Sequence, residues 1–137
     1  MIFVDSGFLY AYVNERDKSH NLVRKKMREI MSGNYGSILI SNYIVDESLT
    51  LARARTKKCN VGKRIQKLIQ KSIAEKPLFQ IIIIDSLIIP KIDEYYEKYC
   101  EKGLSYTDCS ILAVMKKLKI EYLATISKEF EGLVTII

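Results

Sequence analysis

Three carboxylates stand where an acid is out of place. Asp5 follows the short apolar run Ile2–Val4, at the C-terminal end of what reads as a strand. Glu47 lies in a helical stretch, 43–56, and at 100° per residue shares its side with Tyr43, Ile44, Leu51 and Ala54. Asp108 is followed at i+3, i+4 and i+7 by Ile111, Leu112 and Met115, which puts it on an apolar stripe as well. A buried, ionised carboxylate is costly unless it is paired, hydrogen-bonded or bound to a metal. The adjacent Asp46 faces the other way, with Thr50 and Arg53, and no basic residue shares the stripe of Glu47 or Asp108 near the acid. Inward carboxylates without a basic partner suggest a shared cation, and hard oxygen donors suit Mg²⁺ or Mn²⁺. Beside a basic surface, such a cluster supports phosphodiester hydrolysis, the cation polarising the phosphate and activating water.

Two of the acids also have plain local readings. Asp is a favoured N-cap, and a helix is expected to start at Ser6. Ser105-Tyr106-Thr107-Asp108 fits the S-x-x-D capping box, with Ser105 as N-cap. Glu47 has no such local explanation. Asp85 carries no companion signal and reads as a cap or turn residue.

Composition removes competing chemistries. His20 is the single histidine, and Cys59, Cys100 and Cys109 form no C-x-x-C pair. That argues against a disulfide framework, a zinc site and Ser-His or Cys-His nucleophilic catalysis. A phosphotransferase with Asp5 as nucleophile, on the haloacid-dehalogenase pattern, needs a second acid two residues on, where Gly7 stands. No segment approaches the roughly 18 uninterrupted apolar residues of a membrane span. The first residues lack a basic leader, so a soluble, cytoplasmic protein without signal peptide or membrane association is expected. The formal net charge of +6 hints only weakly at an anionic partner, but its distribution is uneven. Between Arg53 and Lys76 there are nine Lys/Arg and one acid, Glu75. This stretch reads either as a solvated helix face or as a surface for an anionic partner.

The elements that must position the acids alternate. Strands are expected at Ile2–Val4, 37–40, 79–84, 121–125 and 133–136, and helices at Ser6–Val13, 19–31, 43–56, 61–75, 88–101 and Tyr106–Leu118. That order implies one α/β domain over residues 1–137, with a mostly parallel sheet wrapped by helices. The continuous β-branched run 81–84 suits a strand covered on both faces. In open sheets of this type sites form beyond the carboxyl ends of strands, near a switch in strand order, and Asp5 sits at such an end.

Three stretches resemble a PIN domain, particularly the VapC-type toxin ribonucleases: M-I-F-V-D-S at the first acid, S-N-Y-I-V-D-E-S-L-T-L at the second and L-S-Y-T-D-C-S-I-L-A-V-M at the third. The resemblance extends over essentially the whole chain. It implies a PIN-like three-layer sandwich whose five-stranded parallel sheet has the order 3-2-1-4-5, with Asp5 at the switch point. It implies a Mg²⁺- or Mn²⁺-dependent endoribonuclease that leaves 5′-phosphate and 3′-hydroxyl ends. Asp5 and Asp108 would be the principal metal ligands and Glu47 would complete the cluster. Ser6 is expected to hydrogen-bond the cluster, with Thr125 at the end of the fourth strand. One departure stands out. The family usually ends strand 4 with T-x-D followed by phenylalanine, and here the text is Thr125-Ile126-Ser127-Lys128-Glu129-Phe130. Ser127 replaces the fourth acid. Glu129 is either a longer substitute reaching in or a solvated loop acid. The departure leaves a second reading open, a catalytically degenerate module that binds RNA or a protein partner. Arg53, Arg55, Lys57, Lys58, Lys63, Arg64 and Lys67 are candidates for RNA phosphate contacts, or for an acidic segment of a cognate antitoxin. A homodimer is implied by the resemblance alone.

Overall fold

Ile2, Phe3 and Val4 are all wholly buried, and the sheet is built around them. The computed structural model describes residues 1–74 and 77–137, and the side chains of all of these but 72–74. Glu75, which closes the expected helix 61–75, and Lys76 of the basic stretch lie outside the described residues. The first strand, β1 (Ile2–Val4), leads through α1 (Ser6–Val13) and α2 (His20–Glu29) to β2 (Ile38–Ser41). Then come α3 (Asn42–Thr56), α4 (Asn60–Ala74), β3 (Gln80–Ile82), α5 (Ile89–Tyr99), α6 (Tyr106–Leu118), β4 (Tyr122–Ala124) and β5 (Thr135–Ile136). The five strands form one parallel sheet of order β3-β2-β1-β4-β5. Phe3 lies between Leu39 of β2 and Leu123 of β4. Parallel neighbours require crossovers, and the helices supply them for every connection except β4 to β5.

The chain winds from β1 outward to β3, then returns to the other side of β1 for β4 and β5. The reversal therefore falls between β1 and β4, where the backbone N–H of Asp5 donates to the Ala124 carbonyl at 3.0 Å. Helices pack over the sheet, α3 contacting α1, α4 and α6, and α5 lying along α6. Phe8 and Leu9 of α1, Ile44 of α3, Ile65 of α4 and Ile111 of α6 are fully buried in the core.

The expected elements are all present; β1, α1 and α6 have the expected bounds and the others have shifted ends. Helix 19–31 ends as an α-helix at Glu29, and a π-helical turn, Ile30–Asn34, continues it until Gly33 leaves the helix at φ 93°. The strand 79–84 contracts to Gln80–Ile82, and its expected coverage on both faces is wrong. β3 pairs only with β2, so it is an edge strand. Ile81 and Ile82 are half-buried and Ile83 is 66% exposed. An apolar run cannot by itself distinguish a central strand from an edge strand, because coverage depends on what the rest of the chain lays over it. Asp85 is a turn residue as expected, its Oδ1 accepting from the Leu87 N–H at 2.9 Å.

Candidate active site

Asp5 is 5% exposed, an acid immersed at the carboxyl end of the central strand. It occupies the N-cap position of α1, yet its side chain makes no capping hydrogen bond. The cap reading is therefore overturned for the side chain, and only its backbone carbonyl serves the helix, accepting from Leu9 N–H at 2.9 Å. Both carboxylate oxygens are turned to hydroxyls instead. Thr125 Oγ1 donates to Oδ2 at 2.9 Å, and Ser6 Oγ lies 3.3 Å from Oδ1. Thr125 stands just beyond β4, so the switch point itself brings it to Asp5 across 120 residues of sequence. The Thr125 hydroxyl also accepts from the Ser127 N–H at 3.0 Å, which ties the loop after β4 to the same carboxylate.

Glu47 reaches this point from α3. Ser41 caps that helix, its Oγ accepting from Ile44 N–H at 3.3 Å. This fixes the phase of the helix, so Asp46 is exposed while Glu47 is half-buried. Ala54, assigned by periodicity to the same stripe as Glu47, is exposed near the helix end. Ser6 Oγ donates to Glu47 Oε2 in a short contact, so one hydroxyl touches both Asp5 and Glu47.

Asp108 serves two purposes at once. The capping box exists: Ser105 N–H donates to Asp108 Oδ2 at 2.7 Å and Asp108 N–H to Ser105 Oγ at 3.1 Å. The same side chain lines a cleft of about 570 Å³ together with Asp5, Ser6, Glu47, Ser127 and Glu129. The cap engages one oxygen and orients the other.

The electrostatics of the cleft are those of a charge deficit. Burial pushes the Asp5 carboxyl up to about 6; the Thr125 hydroxyl opposes the rise, and Asp108 and Glu47 add to it. Burial also raises Glu47, against hydrogen bonds from Ser6 and Thr107, with Asp108 adding to the rise. Asp108 is raised by burial against its bonds to Ser105, with exposed Glu129 adding repulsion. Among the described residues none of the three acids is in an ion pair. No three Asp, Glu, His or Cys side chains among them form a group that could hold a metal ion, so there is no protein cage for one among the described residues. A Mg²⁺ site needs no such cage, since it takes one or two carboxylates and completes its shell from water and phosphate oxygens. An all-oxygen donor set lacking a counter-charge fits that kind of ion.

Of the seven candidate RNA contacts, only Arg55 lines this cleft. Its guanidinium lies over the Tyr10 ring, 5.2 Å from the centroid, and 3.9 Å from Asp17. Lys58 and Arg64 line a neighbouring groove, Arg64 paired with Glu15 at 2.8 Å. Arg53, Lys57, Lys63 and Lys67 are exposed and line neither. Two cations at the cleft, Lys18 and Lys128, were not anticipated. They come from loops remote from the basic stretch, and an isolated loop lysine carries no periodic signal that could have found it.

Comparison with known proteins gives three findings. Residues 2–132 match the PIN domain family. A VapC ribonuclease of Archaeoglobus fulgidus is 26% identical over 122 residues, covering 88% of this chain and 74% of the relative. The crystal structure of Mycobacterium tuberculosis VapC20, a Sarcin-Ricin loop cleaving toxin, superposes with a TM-score of 0.78 at 20% identity, over 96% of this chain and 94% of that one. That last likeness is one of fold.

Proposed function

We propose that this chain, which belongs to the PIN domain family, is a divalent-metal-dependent endoribonuclease of the VapC type. The observation that carries the reading is Asp5: a buried carboxylate at the switch point, flanked by Glu47 and Asp108, with hydroxyl partners and, among the described residues, no ion-pair partner. The VapC ribonuclease relative supports the same activity.

Asp5 and Asp108 would hold Mg²⁺ or Mn²⁺, Glu47 directly or through water, and the ion would supply polarisation of the phosphate and activation of water. Thr125 and Ser6 hold the Asp5 carboxylate in a fixed orientation, and Ser105 holds Asp108. Preorganisation of this kind spares the acids from reorienting as charge builds on the phosphate. RNA is the proposed substrate, a cognate antitoxin and a second copy of the chain the proposed partners, and the cytoplasm the proposed location. The experiment is cleavage of an RNA panel with Mg²⁺ or Mn²⁺ by the wild type, Asp5→Asn and Asp108→Asn. The wild type should cut and both variants should lose at least about a hundredfold in rate; equal activity in all three sinks the assignment.

Ser127 favours one second reading. A neutral hydroxyl is a poorer cation ligand than the aspartate usual at this position, so a module that binds RNA without cutting it is the alternative. Failure to bind Mn²⁺ at millimolar concentration, with RNA binding intact, would select it.

A further inference from the structure

We propose that a single strand of RNA reaches the acidic cleft along the groove beside it, and that Arg55 with Lys18 forms the junction at which the strand turns in. The inference rests on the ribonuclease reading and assigns the substrate path, which that reading leaves open. The groove has a volume of about 800 Å³ and runs between the loop after α1 and the ends of α3 and α4. Five cations line it: Arg16, Lys18, Arg55, Lys58 and Arg64. Its two acids are both engaged, Glu15 by Arg64 and Asp17 by Arg55. Arg16, Lys18 and Lys58 have no carboxylate within ion-pair distance among the described residues.

The groove and the acidic cleft share three lining residues, Asp17, Lys18 and Arg55, so they adjoin there. A polyanion laid in the groove therefore meets positive charge until it reaches Arg55, and carboxylates beyond it. Without a cation the acids repel phosphate, so the approach must be held from outside the cleft, which is where these basic residues stand. Arg55 is held in place for this role. Tyr10 supports one face of its guanidinium and Asp17 engages one edge, leaving further N–H donors for a phosphate oxygen. The phosphate to be cut must come close to Asp5, itself 5% exposed at the back of a cleft of about 570 Å³. A stretch of unpaired strand can enter such a space, whereas a duplex presents its backbone only to an open surface.

The test is equilibrium binding of a fluorescent, cleavage-resistant 2′-O-methyl oligouridine of about twelve nucleotides to the full chain, in chelator and without metal, across a KCl series. The variants are Arg55→Ala, Lys18→Ala and, as an exposed control on α6 away from both sites, Lys117→Ala. Lys18 is a surface loop residue, so its variant keeps the test valid if loss of the Arg55 contacts disturbs folding. Arg55→Ala and Lys18→Ala should each weaken binding about tenfold and flatten the log–log salt slope by about 0.7, the value for one phosphate contact on single-stranded nucleic acid. Lys117→Ala should match the wild type, and the same oligonucleotide annealed into a duplex should bind more weakly. Wild-type binding that is unaffected by either groove variant overturns the path while leaving the ribonuclease reading intact. Absence of RNA binding by the wild type at low salt overturns the RNA reading itself. Tighter binding of poly-glutamate than of RNA, lost with the same two variants, overturns the proposal and assigns the groove to an acidic peptide.

Discussion

Replacing Asp5 by Asn should destroy activity and make the protein more stable. The carboxyl is raised from its ordinary 3.8 to about 6 in the folded chain, mainly because it is buried. In the unfolded chain it returns to its ordinary range, so the folded state binds the proton more tightly than the unfolded state. The stability associated with this group is fully present below about 4 and is lost as pH rises through about 6. The rise corresponds to roughly 3 kcal/mol of penalty for holding the ionised form at neutral pH. Asn has the same shape and no charge. Its carbonyl oxygen can accept from Thr125 and its amide can donate to Ser6 Oγ, which leaves Ser6 free to donate to Glu47. The variant should thus gain up to about 3 kcal/mol at pH 7.5, or on the order of 10 °C in Tm for a chain of this length. The gain should shrink towards zero at pH 4, where the wild-type carboxyl is protonated. Urea denaturation of both proteins from pH 4 to pH 8, in chelator, measures the difference directly. A variant less stable than the wild type at pH 7.5, or a stability difference independent of pH, refutes the argument that Asp5 is held against its own charge.

Four other expectations follow from the same geometry. Millimolar Mn²⁺ should raise the wild-type Tm and leave that of Asp5→Asn unchanged, since an ion that binds only the folded chain stabilises it by mass action; calorimetric scans with and without the ion decide this. Ser105→Ala should lose about 1 kcal/mol with the cap and lower cleavage by more than that loss of stability explains, because Asp108 loses the hydroxyl that shares its capping box; chemical denaturation and RNA cleavage compare the two effects. Ser127→Asp should tighten Mn²⁺ binding, read by isothermal titration, because the Ser127 backbone is already tied through Thr125 to Asp5. Phe3→Ala should cost about 3–5 kcal/mol in urea denaturation, since Phe3 is wholly buried between β2 and β4.

Much of this site can be read from local rules, but each rule reaches only as far as its own element. The helical phase that turns Glu47 inward and Asp46 outward is a property of about four residues, so periodicity identified it. The Ser105–Asp108 box is likewise local, and both of its hydrogen bonds are present. Asp5 was ambiguous because an N-cap and a buried site acid occupy the same place in a sequence, after a strand and before a helix. What separates them is the partner of the carboxylate, and that partner, Thr125, lies on another strand. The basic stretch shows the same limit. Its charge was visible, yet Arg55 alone among the seven candidates stands at the acids, and its companions Lys18 and Lys128 come from other loops.

By itself the sequence determined the strand and helix alternation and which acids its helices turn toward the core, since periodicity and capping depend on neighbours a few residues away. The resemblance carried by its three acidic stretches supplied the strand order. Tertiary structure decided the rest. It left β3 only half-covered in spite of its apolar run, and it gave Asp5 to Thr125 and Ser6 instead of to the helix cap. It also chose which cations border the cleft. Burial, and the electrostatic stress that burial puts on an acid, depend on everything packed around a residue, and only the folded chain brings that together.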